Sequence, residues 1–178
     1  SINIENGVAA MALGYLNGVT PEEIKRGMES FRGVDRRFDF KLKNEKVVFL
    51  SDYAHHPSEI KQSVMSIREL YADRKITAIF QPHLYSRTRD FYKEFADSLS
   101  LLDEVILLDI YPARELPIPG VDSELIYNHL RPGIEKTLCK KEEILDVVKN
   151  KHIEVLITLG AGDIDNYVPA IEKILAAR

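Results

Sequence analysis

The sequence predicts an α/β fold, in which a Rossmann-like, mostly parallel sheet is flanked by helices and preceded by a short helical segment. Short, nearly continuous apolar runs are typical of strands buried on both faces, and they occur at 76–80, 104–110 and 153–159. Segments with helical apolar spacing alternate with these runs, at 57–71, 89–101, 122–130, 140–149 and 163–176. Strand–helix alternation favours parallel pairing with right-handed crossovers.

A β-hairpin is expected at the start of the sheet. Two strand-like segments, Phe38–Leu42 and Lys46–Leu50, flank Asn44-Glu45. A short connection that contains Asn favours a tight turn between two such segments. The sheet should therefore carry one antiparallel pair beside its parallel strands.

The first 33 residues are predicted to form two helices. The segment from Asn6 to Tyr15 is rich in Ala, Met and Leu, and Thr20-Pro21-Glu22-Glu23 combines an N-cap threonine, a proline at the first helical position and a glutamate three residues after the cap. A helix pair of about 30 residues buries little surface by itself. We therefore expect residues 1–33 to be the end of a preceding domain with a hinge, and residues 34–178 to form a second domain.

Composition excludes several classes of protein. The formal net charge of −4 gives no basic footprint for nucleic acid. A single cysteine, Cys139, excludes an internal disulfide framework and a multi-cysteine metal site. No apolar run approaches the roughly 20 residues that span a bilayer, and residues 1–25 lack the pattern of a signal peptide. The sequence predicts a cytoplasmic protein with no membrane or nucleic-acid partner.

Two polar strings follow predicted strands. Ser51 to Pro57 reads Ser-Asp-Tyr-Ala-His-His-Pro, and Phe80 to Asp90 reads Phe-Gln-Pro-His-Leu-Tyr-Ser-Arg-Thr-Arg-Asp. In an open α/β sheet, ligands bind in the crevice at the carboxyl ends of the strands. We expect the two strings to form two walls of one site.

Plain structural interpretations of these strings remain open. His55 and His56 precede Pro57, which suits a first helical turn, so they either cap a helix or bind an anion at its N-terminus. A metal interpretation would need a third ligand with suitable geometry. Arg87 and Arg89 are either a solvated pair or a carboxylate grip, because guanidinium binds carboxylate in a two-pronged geometry.

The two strings, with several shorter motifs in the same order, resemble the C-terminal part of bacterial Mur ligases. The shorter motifs are Asn3-Ile4-Glu5-Asn6, Gly33-Val34-Asp35-Arg36-Arg37-Phe38, Tyr111-Pro112-Ala113, Pro117-Ile118-Pro119-Gly120 and Gly160-Ala161-Gly162. The resemblance covers essentially all 178 residues. It implies that residues 1–33 end the central ATP-binding domain and that residues 34–178 are the C-terminal domain, with the amino-acid site and part of the ATP site.

The resemblance also implies roles for single residues on the nucleotide side. Asn3 and Asn6 match family asparagines that meet the adenine, Arg37 matches an arginine near the ATP phosphates and ribose, and Asp52 matches a contact to the ribose. From the residues alone, two asparagines three apart at a helix start fit helix caps better than ligands. The family histidine before the first asparagine is Ile2 in this chain.

On the amino-acid side, the resemblance implies catalytic roles for His56 and Arg87. The implied substrate-binding positions are His55, His56, His83, Arg87, Gly160, Ala161 and Gly162. From sequence alone, the glycine segment is a weak phosphate-loop signal, and a tight strand–helix turn fits it as well. Two departures concern amino-acid choice: Leu84 stands where these ligases often have Arg, and Arg114 stands where they have Gly.

The implied reaction belongs to peptidoglycan precursor synthesis. ATP phosphorylates the lactyl carboxylate of UDP-N-acetylmuramate, the amine of L-alanine attacks the acyl phosphate, and Mg²⁺ with Lys and Arg side chains neutralises the developing charge. The chain has no G-x-x-x-x-G-K-[ST] phosphate loop, and the family keeps that loop and the magnesium carboxylates in its first two domains. We therefore expect no metal site in this chain and no activity from it alone.

Two other functions remain open. A recycling ligase would attach a preformed peptide to the same nucleotide sugar, although the string from Phe80 to Asp90 fits the alanine-using members better. A non-catalytic α/β module would bind a ligand in the same crevice without forming a bond. A phosphate loop upstream in the full-length gene would favour a ligase.

Overall fold

The computed structural model describes residues 2–31 and 33–178, without the side chains of Ile2 and Asn3. The chain divides into two compact units, Ser1–Val34 and Asp35–Arg178. Among the described residues, no helix is both long and apolar enough to cross a membrane. The assignment of the first unit to a preceding domain stays a prediction.

The first unit consists of two helices, α1 (Ile2–Leu16) and α2 (Pro21–Ser30). The predicted N-terminal signal of α2 is confirmed: Glu23 N donates to Thr20 Oγ1 at 3.3 Å, and Thr20 N donates to the Glu23 carboxylate at 3.0 Å. This reciprocal pair satisfies two backbone donors that the start of a helix leaves free.

The second unit is built on a six-stranded sheet with the order β1-β2-β6-β3-β4-β5. Its strands are β1 (Asp39–Lys43), β2 (Val48–Asp52), β3 (Ile76–Phe80), β4 (Glu104–Leu107), β5 (Glu135–Leu138) and β6 (Val155–Leu159). The β1–β2 pair is the predicted antiparallel hairpin, and all other pairs are parallel. The predicted mostly parallel α/β fold is thus confirmed.

Five helices cover both faces of the sheet: α3 (Pro57–Leu70), α4 (Tyr85–Leu99), α5 (Glu124–His129), α6 (Ile144–Asn150) and α7 (Val168–Ala176). One apolar core contains buried side chains of α3, α4 and α5, such as Ile60, Phe95 and Ile126. The other contains those of α6 and α7, such as Val148 and Ile171. After β2 and after β3, the chain therefore continues on one face of the sheet, whereas after β6 it continues on the other face. This divergence opens a crevice at their carboxyl ends.

Some predicted boundaries were wrong. The predicted strand Lys46–Leu50 lies two residues later, so that Asp52 ends β2 instead of standing in the turn. Helix α4 starts at Tyr85, four residues before the predicted start, because Leu84 turns the chain with a φ of 74°. The predicted strand at 104–110 ends at Leu107, and β5 was not predicted.

Candidate functional site

The carboxyl ends of three neighbouring strands are level with one another. Leu159 at the end of β6 pairs in register with Asp52 of β2 on one side and with Phe80 of β3 on the other. The turns that follow carry the predicted His55, His56, His83 and the segment 160–162, and the ring centroids of His55 and His83 lie 6.2 Å apart. The structure therefore brings the two polar strings together at the carboxyl ends of these strands.

Asp52 is a buried carboxylate at the floor of this crevice, with 8% of its surface exposed. Its Oδ2 accepts from Ser63 Oγ at 2.5 Å and its Oδ1 from Ala54 N at 3.2 Å. Burial raises the pKa of Asp52, although these hydrogen bonds and the nearby Arg37 charge oppose the increase. The Phe38 backbone N–H also donates to this carboxylate. Three donors leave one of its four lone pairs free, so the carboxylate retains the capacity to accept from a ligand hydroxyl.

His56 is the N-cap of α3. Its Nδ1 lies 2.9 Å from Ser58 Oγ and 3.4 Å from Ser58 N, while Glu59 accepts from the His56 backbone N–H at 3.1 Å. The His56 ring packs edge-on against Phe91 of α4, with centroids 5.1 Å apart. The capping interpretation of this histidine is thus observed, and a role towards a substrate stays a prediction.

His55 faces the crevice beside this cap. Its Nδ1 lies 3.0 Å from Tyr53 O and 3.4 Å from the Glu59 carboxylate, and its ring packs edge-on against Tyr53. Glu59 also accepts from the His55 backbone N–H at 3.0 Å. One glutamate therefore fixes both histidines of the turn.

His83 and Arg87 form the facing wall. Within residues 2–31 and 33–178, the buried side-chain nitrogens and oxygens without a hydrogen-bond partner are His83 Nδ1 and Arg87 Nη1. Burial, then the charge of Arg87, lowers the pKa of His83, so that its ring is neutral at pH 7. Buried polar atoms are normally satisfied in native proteins, and these two lie together in the predicted site.

The turn after β6 is constrained by close packing. A Cβ atom on Gly162 would lie 2.2 Å from Gln81 Oε1, and one on Gly160, whose φ is 136°, would lie 2.6 Å from Gln81 O. Gln81 is 2% exposed and joins the two strand ends by donating to Asp163 at 2.7 Å and accepting from Ile164 N at 2.9 Å. A Cβ atom on Gly162 would also lie 2.8 Å from Tyr111 Cβ. Glycine at both positions therefore lets this turn approach the residues that follow β3 and β4.

Arg36 is a contact that the sequence did not reveal. Its guanidinium donates to Gly160 O at 3.4 Å and to Gly162 O at 3.5 Å, and it pairs with Asp165 at 3.1 Å. It also lies 4.7 Å from the centre of the Tyr53 ring. The Arg36 guanidinium therefore bonds to groups of this chain and holds the turn after β6.

The predicted nucleotide ligands are distributed over both units. Arg37 is exposed, with its guanidinium 5.8 Å from the Tyr53 ring centre. Asn6 is exposed on α1 of the first unit, and the side chain of Asn3 lies outside the described part of the structure. In the described residues there is no group of three or more His, Cys, Asp or Glu side chains that could hold a metal ion.

Comparisons with known proteins agree on one family. The sequence model described as "Mur ligase, glutamate ligase domain" matches residues 36–164. The chain is 82% identical over 175 residues to UDP-N-acetylmuramate–L-alanine ligase of Phocaeicola vulgatus, and 62% identical over 174 residues to that of Parabacteroides distasonis. These alignments cover 98% of this chain but 38% and 37% of the relatives.

A solved structure agrees in fold. The UDP-N-acetylmuramate–alanine ligase of Thermotoga maritima superposes with a TM-score of 0.80 at 28% identity, over 99% of this chain and 38% of that one. The chain thus spans less than two fifths of the length of each of these three proteins.

Proposed function

Since the chain belongs to the Mur ligase family, we propose that it is the C-terminal domain of a longer, cytoplasmic, ATP-dependent ligase that joins L-alanine to UDP-N-acetylmuramate. The high identity to ligases of that name over nearly the whole chain supports this substrate pair. The first unit would then be the end of the central ATP-binding domain, and the missing domains would hold the phosphate loop and the nucleotide sugar.

The observation that carries the proposal is the pair of unpartnered atoms at His83 and Arg87. Arg87 is half-buried, and its buried Nη1 has no hydrogen-bond partner; such a guanidinium nitrogen is suited to a carboxylate, which it binds in a fixed, charge-assisted geometry. The neutral His83 ring adds a hydrogen-bonding group without a second charge. An amino acid held by its carboxylate at Arg87 would keep its amine free for attack.

The other predicted residues divide between the two ligands. Arg37, which is exposed, would reach the ATP phosphates, and Asp52 would accept from a ribose hydroxyl. Asn3 and Asn6 would meet the adenine. His55, His56 and the turn from Gly160 through Ala161 to Gly162 would enclose the amino acid opposite Arg87.

The chemistry is acyl transfer through an acyl phosphate. The γ-phosphoryl group of ATP moves to the lactyl carboxylate and ADP leaves. The alanine nitrogen then bonds to the carbonyl carbon, the carbon–oxygen bond to phosphate breaks, and the nitrogen loses a proton. Mg²⁺, which stabilises charge on the phosphoryl oxygens, would be held by groups outside this chain. This domain would orient the amine, and His56 would help to direct it.

The test is ligation by the full-length protein with ATP, Mg²⁺, UDP-N-acetylmuramate and a panel of amino acids and one preformed peptide. We expect L-alanine to be joined with the highest kcat/KM. Preference for the peptide would instead identify a recycling ligase, and the absence of any product would favour a binding module.

Arg87→Ala in the full-length protein should raise the KM for L-alanine far more than the KM for ATP. Loss of a buried charged contact costs on the order of 2–5 kcal/mol. Arg89→Ala is the matched control, because Arg89 lies on the same helix but is 54% exposed and pairs with Asp90. Equal increases for alanine and ATP in the Arg87 variant would refute the assigned role.

A further inference from the structure

The loop that follows β4 packs against the turn that carries His83 and Arg87. Tyr111 N donates to Pro82 O at 2.8 Å, and Leu84 N donates to Tyr111 O at 3.0 Å. The Tyr111 ring stacks on the His83 ring, with centroids 5.7 Å apart and planes inclined by 25°. This side of the site is therefore held by the segment that contains the Tyr111-Pro112-Ala113 motif.

Helix α4 lacks a normal N-cap. Its N-cap residue is Leu84, whose side chain makes no capping hydrogen bond and whose φ of 74° is unusual for a non-glycine residue. The free backbone donors of a first helical turn need acceptors. A residue 29 positions away supplies one: Glu115 accepts from Ser86 N at 2.9 Å and also from the Ser86 hydroxyl.

The Glu115 carboxylate is well suited to this place. The hydrogen bonds from Ser86 lower the pKa of Glu115, so that it is ionised at neutral pH. A negative charge at the N-terminus of a helix is also stabilised by the helix dipole. Glu115 bonds to Ser86, the residue before Arg87, and does not occupy Arg87 Nη1, which has no hydrogen-bond partner.

We propose that Glu115 is a positioning residue for Arg87, acting as the distant cap of the first turn of α4. This inference rests on the proposed function in one respect, which is that Arg87 would bind the carboxylate of an amino acid. Without Glu115, the first turn would fray, and the guanidinium that follows Ser86 would lose its fixed direction.

The first test is hydrogen exchange on the full-length protein, which needs no substrate. Glu115→Ala should speed exchange of the amides at residues 85–88 about tenfold, as expected from the loss of one cap. Glu94→Ala is the control, because Glu94 is an exposed carboxylate on the same helix. Unchanged exchange at residues 85–88 in the Glu115 variant would overturn the inference.

The second test is kinetic. Glu115→Ala should raise the KM for L-alanine about tenfold with the KM for ATP unchanged, and Glu115→Gln, which keeps an oxygen acceptor, should recover part of the loss. Faster exchange together with an unaltered alanine KM would also overturn the inference. If the wild-type protein does not ligate L-alanine, the proposed function fails, and the exchange result still decides whether Glu115 holds the turn.

Discussion

Asp52 and His56 lie at the two ends of the β2–α3 connection and have different surroundings. Asp52 is buried at the end of β2 and bonded to Ser63, whereas His56 caps α3 and packs on Phe91. A turn that spans the junction of two ligands would use each residue for one of them. In a turn that only caps a helix, neither residue would contact a ligand.

Asp52→Asn in the full-length protein should therefore weaken ATP binding and leave alanine binding nearly intact. His56→Ala should do the reverse, and should also lower kcat if the ring orients the amine as we propose. Steady-state kinetics and thermal melts on both variants check this. Matched losses of around 1 kcal/mol in stability with unchanged KM values would show that the turn is only a cap.

The sequence predicted which segments would meet better than it predicted the contacts between them. His55 and His83 were predictable neighbours because each follows a buried strand, and parallel strands end at one edge. The roles of Arg36, Gln81 and Glu115 were not predictable. Each depends on a partner distant in sequence, and no local pattern marks such a pair.

At the scale of elements, strands with two buried faces were the easiest to predict. β3 and β6 are fully buried and nearly continuous in apolar character. The missed strand β5 lies at the sheet edge with the polar sequence Glu-Lys-Thr-Leu and two exposed residues, so that its composition resembles that of a loop. The start of α4 was missed because its cap comes from Glu115.

Glu104, the first residue of β4, belongs to a buried ion cluster. The cluster lies at the amino ends of the strands, whereas the candidate site lies at their carboxyl ends. Glu104 is 1% exposed, lies 3.1 Å from Lys75 Nζ and also pairs with Lys151. Burial by itself would raise the pKa of Glu104, but the two lysines outweigh it and lower the pKa overall. Removing one member of such a cluster leaves the others without a counter-charge.

Glu104→Gln should lower the free energy of unfolding at pH 7 by about 3 kcal/mol, measured by urea denaturation. A carboxyl group whose pKa is lowered by folding stabilises the folded state at any pH above its ordinary pKa, which is 4.5 for glutamate. This contribution is lost as the pH falls through the pKa of the folded state. The difference from wild type should therefore shrink below that pH. Glu135→Gln is the control, since Glu135 pairs with the same Lys75 but is 65% exposed, and we expect at most about 1 kcal/mol there. Equal losses in the two variants would contradict this account.

At the scale of the whole molecule, the chain contains part of a proposed active site. It spans 38% of its relative from Phocaeicola vulgatus, and its sequence lacks a phosphate loop and the lysine that such a loop provides. Arg37 and Asp52 by themselves offer a nucleotide one exposed cation and one buried acceptor.

We expect the purified chain of 178 residues to fold but to release no phosphate from ATP. Circular dichroism checks folding, and a phosphate-release assay with ATP, Mg²⁺, UDP-N-acetylmuramate and L-alanine checks activity, with the full-length protein as the positive control. ATP-dependent phosphate release by the chain alone would disprove this expectation.

The order of the strands also has a consequence for synthesis on the ribosome. β6 occupies the middle of the sheet between β2 and β3, yet it is the last strand in chain order. At translation rates of about 5–20 residues per second, β2 and β3 are therefore synthesised several seconds before β6, the strand that joins them. During that interval each exposes an unpaired backbone edge, which is a hazard for aggregation. The two halves of the crevice come together only when Val155–Leu159 leaves the exit tunnel.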